Sequence, residues 1–180
     1  MNIRTTTLAM MLMLYGAAHS LIGNAAEAPQ KVTLCQLLGD PAAFNHKLIE
    51  ISGVVSRGFE DFTLNDETCS NANTLWLEFG GMRGSQVMYC CGDNNIDRHR
   101  KAPLLVEGME TTLVEDEVLE RFERLTNKKR SYGKARVVLV GRYFSGEQQT
   151  LPGGTFWMGY GHMGMASLLV IQQVLFASPR

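Results

Sequence analysis

The residues of this chain best equipped for chemistry lie close together near its end. They form the run Trp157-Met158-Gly159-Tyr160-Gly161-His162-Met163-Gly164-Met165. Met163 and Met165 are two positions apart, so an extended backbone would place both thioethers on one face. His162 adds an imidazole, and Trp157 an aromatic face that a cation can approach. Thioethers with imidazole are the ligand set for a soft monovalent ion, Cu(I) or Ag(I). The structural alternative is a glycine-rich turn. Its methionines would fill the end of a core, and His162 would fix the turn by hydrogen bonding.

The second set is Cys35, Cys69, Cys90 and Cys91, the only cysteines of the chain. An even number in an exported domain points to disulfides. Pairing the adjacent Cys90 and Cys91 is strained, which leaves two connectivities. The expected bridge ties Cys69 to Cys90 or Cys91, with Cys35 buried and inert on an apolar helix face. No Cys-x-x-Cys is present, which argues against dithiol redox chemistry. Nor do the spacings fit a zinc site.

The third set is Gly58-Phe59-Glu60-Asp61-Phe62. Adjacent carboxylates on a strand point to opposite faces, so Glu60 and Asp61 are not a glycosidase pair. Phe59, Glu60 and Trp76 are the candidate ligand-binding residues here, with Tyr160 and His162 nearby. The alternative is a β-hairpin with aromatic core residues. No Gly-x-Ser-x-Gly elbow, His-Glu-x-x-His or phosphate-binding Gly-x4-Gly-Lys-Ser/Thr occurs. Catalytic residues are therefore assigned none, and no cofactor is expected apart from copper in the soft-metal reading.

These residues need an export context and a scaffold. Arg4, the apolar run Leu8 to Ala18 and the small residues through Ala28 read as a secretory signal peptide over residues 1–28. Cleavage could follow Ala28, Ala25 or Ser20. The apolar run is too short to span a bilayer, so no transmembrane segment is expected in the mature chain. The expected location is the periplasm or outside the cell, with an envelope ligand or protein as partner. Formal net charge is −1, which offers no footprint for nucleic acid. Arg98-His99-Arg100-Lys101 is a local basic cluster, read as a solvated loop tip or a contact for phosphate head groups.

Residues 29–180 read as one domain. Within 33–44 one helix is expected, followed by a short turn where Asp40-Pro41 interrupts the pattern. Strands follow at 48–55, 59–64 and 74–79, then a long irregular loop at 80–101. Residues 104–108 form a short extra strand. Thr112 and Glu115 fit a capping box for a helix with Val118, Leu119, Phe122 and Leu125 on its apolar side. Strands at 135–144 and 168–176 complete the set. Strand–strand–strand–helix–strand–strand is the order of the OB-fold, a five-stranded Greek-key barrel. The expected class is therefore mainly β with flanking helices (α+β): an OB-like barrel with a helix between strands three and four and another at its N-terminus. Gly53 and Gly141 are read as barrel bends.

Two stretches carry a resemblance. Residues 40–64 (DPAAFNHKLIEISGVVSRGFEDFTL) and 159–174 (GYGHMGMASLLVIQQV) resemble a family of exported bacterial proteins with an OB-like core. His46 departs from it, standing where the family has glycine in a turn. Met165-Ala166 stand where relatives often carry adjacent cysteines. The resemblance implies fold and export, and carries no activity. By residue type, the His162/Met163/Met165 set also resembles the ligands of small periplasmic copper/silver chaperones, which are OB-like barrels too. The chain is thus read as an exported, disulfide-supported, non-catalytic binding or structural module. A soft-metal binder is the first alternative, and an enzyme with scattered catalytic groups the second.

Overall fold

A computed structural model of the protein describes residues 27–58, 60–69, 75–85, 87, 99–127 and 133–180. In chain order these form β1 (Gln30–Val32), α1 (Leu34–Gly39), α2 (Pro41–Phe44), β2 (Leu48–Arg57), β3 (Phe62–Asn65), β4 (Leu75–Phe79), β5 (Leu105–Val106), β6 (Met109–Glu110), α3 (Glu117–Thr126), β7 (Gly133–Phe144), β8 (Glu147–Leu151), β9 (Gly154–Met158) and β10 (Ser167–Pro179). Residues 1–26, which hold most of the expected leader, lie outside the described residues, as do Phe59, Cys90, Cys91 and Arg98.

The barrel is the ring β2-β3-β4-β10-β7, closed by pairing of β7 with β2. Only β4 and β10 run parallel within it; its other pairs are antiparallel. This is the OB arrangement, and the chain is an α+β protein built on it. The strands alternate as a half-buried sheet requires. Ile49, Ile51 and Val55 of β2 face the interior, as do Ala135, Val137 and Leu139 of β7. Closing so small a ring brings strands into tight contact where glycine makes room. A Cβ at Gly53 would lie 2.8 Å from the Asn65 carbonyl, and one at Gly141 would overlap the Val170 carbonyl.

Helix α3 plugs one end. Leu119 and Phe122 are buried, and Phe122 stacks with Phe62 and Phe79 at centroid separations of 6.1 and 6.2 Å. The expected Thr112/Glu115 capping box does not form. Asp116 is the N-cap and accepts from the Val118 and Leu119 amides. Glu115 is drawn instead to Arg83, at 2.6 Å.

At the N-terminal side, Thr33 and Gln36 form the capping box of α1, which buries Leu34, Leu37 and Leu38. Asp40 caps a second short helix, with Pro41 in its first turn, where a turn was expected. Two hairpins were not anticipated in full: β5–β6, of which one strand was expected, and β8–β9, whose turn contains Pro152 and Gly153.

The disulfide differs from expectation. Cys35 is bonded to Cys69, with Cα atoms 5.3 Å apart. Cys35 is thus not inert, and Cys69 is not paired with Cys90 or Cys91. The bond ties α1 to the β3–β4 connection. Closing its loop restricts the unfolded chain by on the order of 4 kcal/mol.

The reading of the basic cluster is corrected at Arg100, whose part-buried side chain turns onto the fold while His99 and Lys101 are exposed. Arg100 Nη2 lies 2.9 Å from Glu78 Oε1, and Nη1 donates to the carbonyls of Phe79, Gly81 and Arg83. Glu78, only 1% exposed, also accepts from the amides of Phe79 and Ser85 and from Ser85 Oγ. Among the described residues no helix is long and apolar enough to cross a membrane.

Candidate functional site

The outer face of the barrel carries a row of side chains fixed by strand register. Lys134 of β7 pairs with Ser56 of β2, Ser56 with Thr63 of β3, and Thr63 with Trp76 of β4. Neighbouring strands lie about 4.8 Å apart, so this row runs about 14 Å from an ammonium through two hydroxyls to an indole. It forms the floor of a groove of about 490 Å³, lined also by Asp61, Asn65 and the Glu67–Arg180 ion pair.

The groove mixes polar groups with the apolar surfaces of Val54 and Trp76, and its two acidic residues balance its two basic ones. Asn65 Nδ2 donates to Thr63 Oγ1 at 3.2 Å, leaving the Thr63 hydroxyl proton for another acceptor. Burial pushes the Asp61 carboxyl up, opposed by the Gly58 and Asp61 backbone amides and by the Lys134 charge. Asp61 Oδ1 is buried and has no hydrogen-bond partner among the described residues.

The expected ligand residues divide. Trp76 belongs to this groove but is only 4% exposed, so it is not an open stacking platform. Its Nε1 donates to the Val87 carbonyl at 2.8 Å. A Cβ on Gly161 would overlap the indole ring, so the Tyr160–His162 loop lies directly over Trp76. Asp61, not Glu60, lines the groove; Glu60 is exposed in the β2–β3 turn.

Tyr160 is buried at 7% exposure and donates its hydroxyl to Glu107 Oε1 at 2.7 Å. The other oxygen of Glu107 contacts His46 Nε2 at 2.6 Å. Burial pushes the Glu107 carboxyl up, but the bonds from His46 and Tyr160 outweigh it and hold the group below the usual carboxylate range. His46 and Glu107 both have positive φ, 62° and 48°. Glycine adopts that conformation without strain; other residues need surrounding contacts to hold it. This trio adjoins a second cavity of about 400 Å³ lined by Asn45, Glu107, Glu147, Met158 and Tyr160.

The His/Met run is not extended. His162–Gly164 is a 3₁₀ turn with Met163 in left-handed conformation, φ 59°. Met163 and Met165 are 79% and 64% exposed, so they do not fill the barrel end. His162 is exposed as well. Trp157 lies on β9, opposite Gln148.

Ser56, Thr63, Asn65 and Lys134 were not anticipated as a group. Period-two alternation marks the outward positions of β2 and β3, yet only the strand register joins Lys134 to them. Glu107 and His46 come from two turns far apart in the chain, and no spacing pattern links them. No protein-family model, curated protein or solved structure matches this chain.

Proposed function

We propose that the protein is an exported binding module that takes an uncharged, hydroxyl-rich oligomer, of the oligosaccharide class, on the outer face of β2, β3 and β4. The observation that carries this reading is the row Lys134-Ser56-Thr63-Trp76 along a groove of mixed polar and apolar lining. A groove crossing several strands suits an oligomer. Its hydroxyl, amide and carboxylate groups match alternating donors and acceptors on a sugar chain. Glu67 balances Arg180, and Asp61 attracts Lys134, so the surface has no cationic excess for a polyanion. The same face of OB barrels serves oligosaccharides and oligonucleotides generally; the charge balance here favours the former.

Amide-shift titrations with chitotriose and maltotriose, and with a single-stranded oligonucleotide, test this reading. A neutral sugar is expected to move the signals of Ser56, Thr63 and Asn65. Thr63→Val, which removes one hydroxyl at nearly constant shape, is expected to weaken that binding about fivefold. Binding of the oligonucleotide alone, or sugar-induced shifts confined to another surface, would overturn it.

The leader sequence and the Cys35–Cys69 bond support export, because disulfides persist in oxidising compartments. Glu27 sharpens where the leader ends. Its carboxylate bonds Arg142 at 2.6 Å and the Leu48 amide at 3.1 Å. Cleavage before Glu27 preserves these bonds; cleavage after Ala28 removes them. N-terminal sequencing of the exported protein is expected to show Glu27 retained.

A further inference from the structure

We propose that the turn bearing His162, Met163 and Met165 is a second site, which holds one soft monovalent cation, Cu(I) or Ag(I). Its ligands are the two thioethers and the imidazole. The chemistry is that of the residue types; the structure contributes their presentation.

Methionine normally fills gaps in cores, yet Met163 and Met165 stand 79% and 64% exposed. The backbone that displays them is fixed from several directions. Tyr160 and Ala166 exchange backbone hydrogen bonds of 2.8 and 3.0 Å. Gly161 is pressed against Trp76, and the Tyr160 hydroxyl is tied through Glu107 to His46. The Gly164 amide donates to the Gly161 carbonyl at 3.1 Å, and the Met165 amide to the His162 carbonyl at 3.4 Å. These bonds close a reverse turn, whose end residues His162 and Met165 have Cα atoms within about 7 Å of each other.

Met163 sits at the corner, in a conformation that a non-glycine residue adopts only under constraint. The Gly159 amide donates to the Gly164 carbonyl at 2.9 Å. Met158, 46% exposed, therefore leaves the chain beside the same turn. Soft side chains thus project from a braced backbone, so binding has only the side chains themselves left to order. Among the described residues no group of three or more His, Cys, Asp or Glu gathers anywhere. The softness of the two thioethers itself selects against Ca(II) and disfavours Zn(II).

The test uses the full exported chain with the disulfide intact and any free thiols alkylated. Methionine methyl groups are labelled with carbon-13, and the protein is titrated with silver nitrate in chloride-free buffer. Saturation at one equivalent is expected, with shifts at the Met163 and Met165 methyls and the His162 ring. Met82 and Met109 are expected not to move. Met163→Leu with Met165→Leu keeps size and is expected to weaken binding about tenfold or more, with an unchanged amide spectrum away from the turn. Silver affinity that persists in His162→Ala combined with both leucine changes would overturn the proposal. So would non-saturating shifts at every exposed methionine. Neither result bears on sugar binding in the groove.

Discussion

Arg100→Ala is expected to destabilise the protein by about 3–5 kcal/mol, the range for removing one partner of a buried ion pair. Glu78 is 1% exposed on the outer side of β4, where a loop covers the sheet. Its carboxylate is tolerable there because donors surround it: two backbone amides, the Ser85 hydroxyl and the Arg100 guanidinium. Deleting the guanidinium leaves a charge with too few donors, and deprives the carbonyls of Phe79, Gly81 and Arg83 of a shared one. The consequence extends to the groove. Ser85 accepts from Arg57 and Val87 accepts from Trp76, so a loosened 79–87 segment loses its grip on the groove floor. Arg124→Ala is the comparison, since its pair with Glu120 spans 3.6 Å with both side chains 69% exposed. That change is expected to cost less than about 0.5 kcal/mol. Urea unfolding of the two variants reads the difference directly, and equal midpoints would refute the buried network's importance. The Arg100→Ala, Glu78→Ala double variant should lose less than the sum of the singles, because it leaves no stranded charge.

The barrel is legible in the chain because its strands are apolar runs of ordinary length, separated by turn residues. The helix between the third and fourth is marked by acidic residues before an apolar stripe. What fails is what depends on which loops meet. Cys69 faces Cys35 because α1 packs beside the β3–β4 connection, a meeting that cysteine spacing does not encode. Glu115 satisfies the pattern of a capping box, but Arg83 arrives from a loop and takes its carboxylate. Asp116 then reaches two amides one residue later. Arg100 sits in a run of basic residues that looks solvated until Glu78 is placed beneath it. The methionines are a subtler failure. Their residue type points inward, whereas positive φ at Gly161, Met163 and Gly164 turns the chain so that they point out. The groove was half legible. Alternation puts Asp61 and Thr63 on the face opposite Phe62 and Leu64, but Lys134 joins them only through closure of β7 onto β2.

Gly161→Ala is the second change with a large expected effect, and it links groove and turn. Gly161 has φ 70° and ψ −159°, a region that essentially only glycine occupies. An alanine there carries a backbone strain of about 1–3 kcal/mol. Its methyl would also overlap the Trp76 ring, adding about 1–3 kcal/mol of overpacking. The chain can relieve both only by lifting the 159–165 turn off the indole. The expected result is a lower unfolding midpoint together with a red-shifted tryptophan emission, as Trp76 becomes wetter. Two controls separate the contributions. At Gly153, φ is 111° but a Cβ would meet no atom within 4 Å, so Gly153→Ala carries strain without overlap. At Gly39, in the last turn of α1, a Cβ also finds open space and φ is not positive, so alanine is expected to be neutral or stabilising there. If Gly161→Ala unfolds like Gly153→Ala with unchanged emission, the turn does not rest on Trp76. The brace invoked for the thioether ligands would then be absent. If it unfolds much earlier, with the emission shift, then Trp76 is held as the shared wall of both sites, with the groove on one side and the methionine turn on the other.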